Sequence, residues 1–170
     1  MSVADRARWY RQLRWPAPCE EAFDATRVTD DGGLKFVELE PGRSLVIVRC
    51  AGGAYQPSST LLLLDERGAT PVASALELET LASLDGKSLT RAREAEVTGE
   101  ITMLDHRTLT ILTLARQIGD CGTWGRYEFH DGSLVLTAGA ERVTCPADPG
   151  PRAEPKVGEP PAGWKPIAIQ

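Results

Sequence analysis

One cysteine, Cys121, lies in the glycine-flanked stretch "RQIGDCGTWGRYEF", residues 116–129, and His130 follows nine residues later. A thiol with a nearby imidazole is the raw material of a Cys–His nucleophile. An activated thiolate needs electropositive surroundings, and Asp120 next door brings the opposite sign. The two histidines, His106 and His130, both fall in expected hairpin turns beside Asp105 and Asp131. If those hairpins are neighbours, the four side chains could meet around a metal. So few histidines without a ligand motif more often mean exposed turn residues, and no metal or other cofactor is expected. No G-x-S-x-G elbow, Walker loop or G-x-G-x-x-G is present. Glu20 and Glu21 are consecutive, which reads as a solvated helix face rather than an acid–base pair. Catalysis therefore has no support in the sequence, and a non-enzyme is expected.

The four cysteines, Cys19, Cys50, Cys121 and Cys145, contain no C-x-x-C, which excludes a zinc ribbon or a thioredoxin-type motif. An even number at wide spacing fits two disulfides made in an oxidising compartment. Four cysteines allow three pairings, and spacing alone does not choose. Topology favours Cys121–Cys145, because the two bracket a strand–turn–strand segment, and this leaves Cys19–Cys50. Bridges closing loops of that size contribute about 2–4 kcal/mol each. The opposite reading is four reduced cysteines in a cytoplasmic protein.

The elements that must position these residues are mostly strands. Ser2 to Arg14 shows helical spacing through Val3, Ala7, Tyr10 and Arg14, widened by Trp9 and Leu13. It is a docking or membrane-surface element, or a capping helix with solvated Arg6, Arg8 and Arg11; its shortness favours the cap. Pro16 and Pro18 stop it, and "CEEAFDA" adds one more helical turn. "LKFVELE" and "SLVIVRC" then read as strands around "EPGR". Three further hairpins turn at Asp65–Gly68, Asp105–Arg107 and His130–Gly132, each with an aspartate that tolerates the left-handed backbone. Leu76 to Glu96 fits a helix, a loop or a weak strand. Seven of the twelve prolines fall between Pro146 and Pro166, which bars an interior strand there. Trp164 and the following "KPIAI" suggest that this tail returns and docks.

The predicted fold is therefore mainly β, an antiparallel meander of hairpins curled into a small barrel or sandwich. Its parts are a helix and Trp-Pro linker (1–18), a disulfide-stapled β domain (19–145) and a Pro-rich arm (146–170). With 170 residues, 42% hydrophobic, the chain suits a globular core. A net charge of −5 argues against nucleic acid. No apolar run is long enough to span a membrane, and the arginine-rich start has no signal-peptide core.

Read together, "WPAPCEEAF", "LVIVRCAGGAYQPSSTLLLLDE" and "GDCGTWGRYEF" followed by "LVLTAGAERVTC" resemble a bacterial family catalogued as domain of unknown function 1176. The family pattern is a Trp-Pro near a Cys-Glu, a strand ending in cysteine before Gly-Ala-Tyr, a late Gly-Asp-Cys-Gly, a further cysteine and a terminal Trp-Pro. Two departures stand out: the terminal pair is Trp164-Lys165-Pro166, and the basic, glycine-rich approach to Gly-Asp-Cys-Gly is reduced to Arg116-Gln117-Ile118. The resemblance implies export, matches all four cysteines by position and brings no activity with it. It favours the stapled scaffold for Cys121.

The expectation is thus a periplasmic or otherwise exported binding or assembly module that meets a protein partner or an envelope component. Trp9, Tyr10, Trp15, Tyr55 and Trp124 are the candidate contact residues, with Trp15 and Trp124 the readiest to be core instead. The alternatives are an inhibitor of a secreted hydrolase such as a lysozyme or protease, inserting "CAGGAYQPSS", and a thiol enzyme or redox sensor using Cys121.

Overall fold

Ser2 starts the first helix: its hydroxyl accepts the Asp5 backbone N–H, and the Asp5 carboxylate accepts the Ser2 N–H. This reciprocal cap satisfies two donors that the first turn leaves unpaired. Helix α1 runs Val3–Leu13 and ends where Arg14 turns left-handed; α2 runs Ala17–Thr26. Pro16 and Pro18 open α2 as well as closing α1, because proline fits the first turn of a helix. The single extra turn expected here is thus corrected to a helix of ten residues.

The computed structural model describes residues 1–82, 88–148 and 156–169. Its strands are β1 (Leu34–Glu40), β2 (Arg43–Ala51), β3 (Ser58–Asp65), β4 (Val72–Ala75), β5 (Leu78–Ala82) and β6 (Thr90–Glu94). They continue with β7 (Glu96–Thr98), β8 (Glu100–Met103), β9 (Thr108–Leu114), β10 (Gly122–His130), β11 (Ser133–Arg142) and β12 (Lys165–Ile167). Mainly β with antiparallel sheets is correct. The strands do not form one continuous meander, and among the described residues no sheet closes into a barrel. They fall in two compact units, Met1–Glu77 with Ala95–Thr98 and Leu78–Glu94 with Gly99–Gln170. The ambiguous stretch from Leu76 to Glu96 holds β5 and β6, and its residues 83–87 lie outside the described ones.

In the first unit β1-β2-β3-β4 form an antiparallel sheet, and β7 also pairs with β3. Alternation sends Val46, Val48 and Cys50 of β2 and Leu62 and Leu64 of β3 to one face, where they meet Leu13, Trp15 and Cys19. Each such buried aliphatic side chain contributes about 1.5–3 kcal/mol. The Cys19–Cys50 bridge joins α2 to β2 inside this layer, with Cα atoms 4.4 Å apart.

In the second unit the order is β12-β11-β10-β9-β8, with β5 and β6 as a separate two-stranded ribbon. The odd-numbered side chains of β10 face that ribbon. Thr123 Oγ1 donates to Leu81 O at 2.7 Å and the Tyr127 hydroxyl to Glu79 O at 2.8 Å. Arg91 of β6 in turn donates to the Ala168 carbonyl. Trp164 is buried with Trp124 and Ala140, and β12 pairs with β11 at the sheet edge, Pro166 opposite Ala140. Proline is tolerated there because an edge strand can turn its missing N–H outward. Residues 149–155 of the expected arm lie outside the described ones. Cys121–Cys145 ties the start of β10 to the segment after β11, with Cα atoms 5.1 Å apart.

Candidate functional site

The expected pairs Cys19–Cys50 and Cys121–Cys145 are both formed and no free cysteine remains. Cys121 precedes β10 and His130 ends it, roughly 30 Å away at the rise of an extended strand. The thiol–imidazole pair is therefore not assembled. Beside Cys121, Asp120 is buried and gripped by Arg116, Nε to Oδ1 at 2.7 Å and Nη2 to Oδ2 at 2.5 Å. Arg116 Nη2 also donates to Pro146 O at 2.8 Å, on the far side of the bridge. The guanidinium holds the Asp120 carboxyl below the usual carboxylate range, so the aspartate reinforces the staple.

Among the candidate contact residues, Tyr55 is 43% exposed, in the loop after Cys50. Trp15 is 2% exposed and Trp124 5%, so both are core and are withdrawn from any contact surface. Trp9 and Tyr10 are half-buried: Trp9 packs on Phe36 with ring centroids 4.8 Å apart, and Tyr10 on Trp15 at 5.1 Å. Two further readings are corrected. Arg6 is 1% exposed rather than solvated, and Glu20 is its partner rather than part of a free face. Arg6 Nε donates to Glu20 Oε2 at 2.8 Å, Nη1 donates to Gly32 O, and the Trp15 indole N–H reaches the same carboxylate oxygen at 2.9 Å. The Arg6 guanidinium lies 3.7 Å over the Phe23 ring, a stacked cation that knits α1, α2 and the loop at Gly32.

Each unit carries a recess at a hairpin end. In the first, a recess of about 710 Å³ is lined by Leu63 and Val72 together with Arg43, Asp65 and Arg67. Its charges satisfy one another: Arg43 pairs with Asp65 and Glu40 at 3.0 Å each, and Arg67 with Asp65 at 2.6 Å. Hydrogen bonds from Arg67 hold the Asp65 carboxyl well below its ordinary range.

In the second unit the expected meeting of turns occurs. The β8–β9 and β10–β11 turns line one recess of about 320 Å³ with Asp105, His106, Arg107, Glu128 and His130. Asp105 Oδ1 accepts the backbone N–H groups of Arg107 and Thr108 at 2.7 Å each, and the first of these lowers its carboxyl most. Arg107 Nη2 donates to Phe129 O at 2.9 Å, so side chain and backbone lock the two turns together. His130 Nε2 lies 3.4 Å from Glu128 Oε2. Asp131 occupies the left-handed turn position, φ 47°, which is its structural task. Among the described residues no three of His, Cys, Asp and Glu are close enough to share a metal ion.

This recess is one end of a longer surface. The even-numbered residues of β10, namely Trp124, Arg126, Glu128 and His130, share the face turned away from the ribbon. Across the ladders they stand beside Thr108, Thr110 and Leu112 on β9. A second recess of about 120 Å³, bordered by Thr102, Thr110 and Trp124, marks the other end. Arg126 lies between the two, and sequence reasoning missed it: a lone arginine in an alternating strand reads as an ordinary solvent-facing residue. The alternation in "TWGRYEFH" does show which face it shares. No helix of the described residues is long and apolar enough to cross a membrane.

No family model, no curated protein and no solved structure matches this chain.

Proposed function

We propose that the protein is an exported, non-enzymatic binding or assembly module acting through protein–protein contact. The observation that carries the contact reading is the polar stretch of the β8–β11 face around Arg126, Glu128 and His130, lying between two recesses. A sheet with one face packed and one face polar is a rigid platform, so little order is lost when a partner settles on it. Export is supported by the joining of all four cysteines, one bridge in each unit, which suits an oxidising compartment.

The test is site-specific photo-crosslinking in the native host. A crosslinker at Val135 or Thr137, beside Glu128 and Arg126 on β11, should yield a discrete protein adduct in the envelope fraction. The same group at Val28, exposed in the other unit, should not. Equal adducts from both positions, or a protein retained in the cytosol with free thiols, would remove the reading.

A second reading, inhibition of a secreted hydrolase, is favoured by one observation. The loop carrying Tyr55 is anchored at its base by Cys50–Cys19 and by the Gly52 N–H donating to Thr26 Oγ1 at 3.3 Å. A loop held in this way loses little entropy on insertion. A panel of lysozymes and proteases unaffected by micromolar protein would eliminate it.

A further inference from the structure

The chain pairs its arginines with carboxylates repeatedly. Arg6 holds Glu20, Arg43 and Arg67 hold Asp65, Arg91 holds Glu79, and Arg116 holds Asp120. Arg126 differs. It stands mid-strand on the polar face of β10, half-buried, opposite Thr110 on one side and Ala138 on the other, and neither neighbour carries charge. Its Nε is buried and has no acceptor among the described residues. Glu128, two residues along the same strand face, is turned elsewhere: Oε1 accepts the Thr137 hydroxyl at 3.3 Å, and Oε2 lies beside His130. A buried N–H without an acceptor is unfavourable, and a guanidinium presents paired donors in a planar fork that matches a carboxylate.

We propose that Arg126 is the seat for a carboxylate supplied by an acidic side chain, Asp or Glu, of a partner protein segment lying along β10. This rests on the protein-contact reading above and names the chemistry of the partner. The fork would accept the two carboxylate oxygens side by side. Thr110, which is buried beside it, and Thr102, its cross-strand neighbour on β8, bring hydroxyl donors to the same surface. Two observations choose among acidic ligands. Trp124 is buried and offers no open ring for a sugar to stack on, which disfavours a uronic-acid saccharide. Glu128 next along the face repels a second negative charge, which disfavours a phosphate dianion and leaves a monoanionic carboxylate as the best fit.

The experiment titrates the full-length, disulfide-bonded chain with capped hexaglutamate and follows the Arg126 Nε–H and Thr110 amide by proton–nitrogen NMR. A saturable shift of both resonances is expected, with none from capped hexaglutamine. Arg126→Gln should weaken the binding about tenfold or more. Arg126→Lys, which keeps the charge without the fork, should weaken it by less. Absence of any Arg126 shift at millimolar hexaglutamate would overturn the assignment, as would equal binding by the Arg126→Gln chain. Tighter binding of trigalacturonate or inorganic phosphate would overturn the choice of a protein carboxylate. The crosslink at Thr137 separates the two levels of inference. If it persists in the Arg126→Gln chain while hexaglutamate fails, the contact reading stands and the carboxylate seat falls. If hexaglutamate binds but no adduct forms, Arg126 keeps its affinity for carboxylates, while the contact reading falls and the partner segment falls with it.

Discussion

Two hairpin ends of this molecule use the same turn. In the first unit Asp65 Oδ1 accepts the backbone N–H of Arg67, and in the second Asp105 Oδ1 accepts that of Arg107. There the likeness stops. Arg67 folds back onto Asp65 and is neutralised, whereas Arg107 reaches across to the Phe129 carbonyl and joins two turns. The contrast extends through both units. In the first, Arg6, Arg43 and Arg67 all meet carboxylates and knit the structure together; in the second, Arg91 and Arg116 do the same, but Arg126 meets none among the described residues. The same type of side chain thus serves as a structural tie in both units and, at Arg126, as an unmatched donor. Identity of residue type says little about role; the neighbours that pairing brings decide it.

The comparison can be broken at its strongest point first. Arg6→Ala leaves the Glu20 carboxylate without its cation and the Gly32 carbonyl without its donor in a buried setting, and should cost about 3–5 kcal/mol in denaturant unfolding. A loss below about 1 kcal/mol, the range of an exposed pair, would show that Arg6 is not the tie described. Replacing either cysteine pair by alanine should cost about 2–4 kcal/mol, since the loops closed are 31 and 24 residues long. The two bridges are further distinguished by access. Cys19 and Cys50 are both buried, whereas Cys145 is half-buried. Limited reductant followed by alkylation and peptide mapping should label Cys121 and Cys145 first, and simultaneous labelling of all four would erase the distinction. The smallest effect belongs to Arg126→Gln. With no acceptor to abandon, it should change stability by less than about 0.5 kcal/mol. A large loss would mean that Arg126 supports the sheet, and the contrast with Arg6 would collapse.

Much of the fold was legible because hairpins are local. Alternating apolar residues around Asp65, Asp105 and Asp131 place six strands within a few residues of their ends. The bridge pattern was legible for a related reason, since Cys121 and Cys145 bracket one hairpin. The division into two units was not. It turns on β6, where "TRARE" is exposed throughout and carries no buried face to read, and on β7, which pairs back with β3 across the intervening ribbon. Burial of Trp15 and Arg6 also depends on distant partners, because Glu20 and Gly32 reach them only after two helices and a loop have packed. At the site, alternation along β10 reveals which residues share a face. That Arg126 stands between Thr110 and Ala138, with no acid beside it, follows only from the register of three strands.

The disulfides also bear on how the chain can be made. Of the three ways to join four cysteines, this fold uses the consecutive one: Cys19 with Cys50, then Cys121 with Cys145. Neither bond crosses the other, and the first has both its halves 71 residues before Cys121 is reached. A chain threaded from its N-terminus into an oxidising space meets its correct partner each time a second thiol arrives. First-come oxidation therefore gives the native pattern, with no wrong bond to be shuffled afterwards.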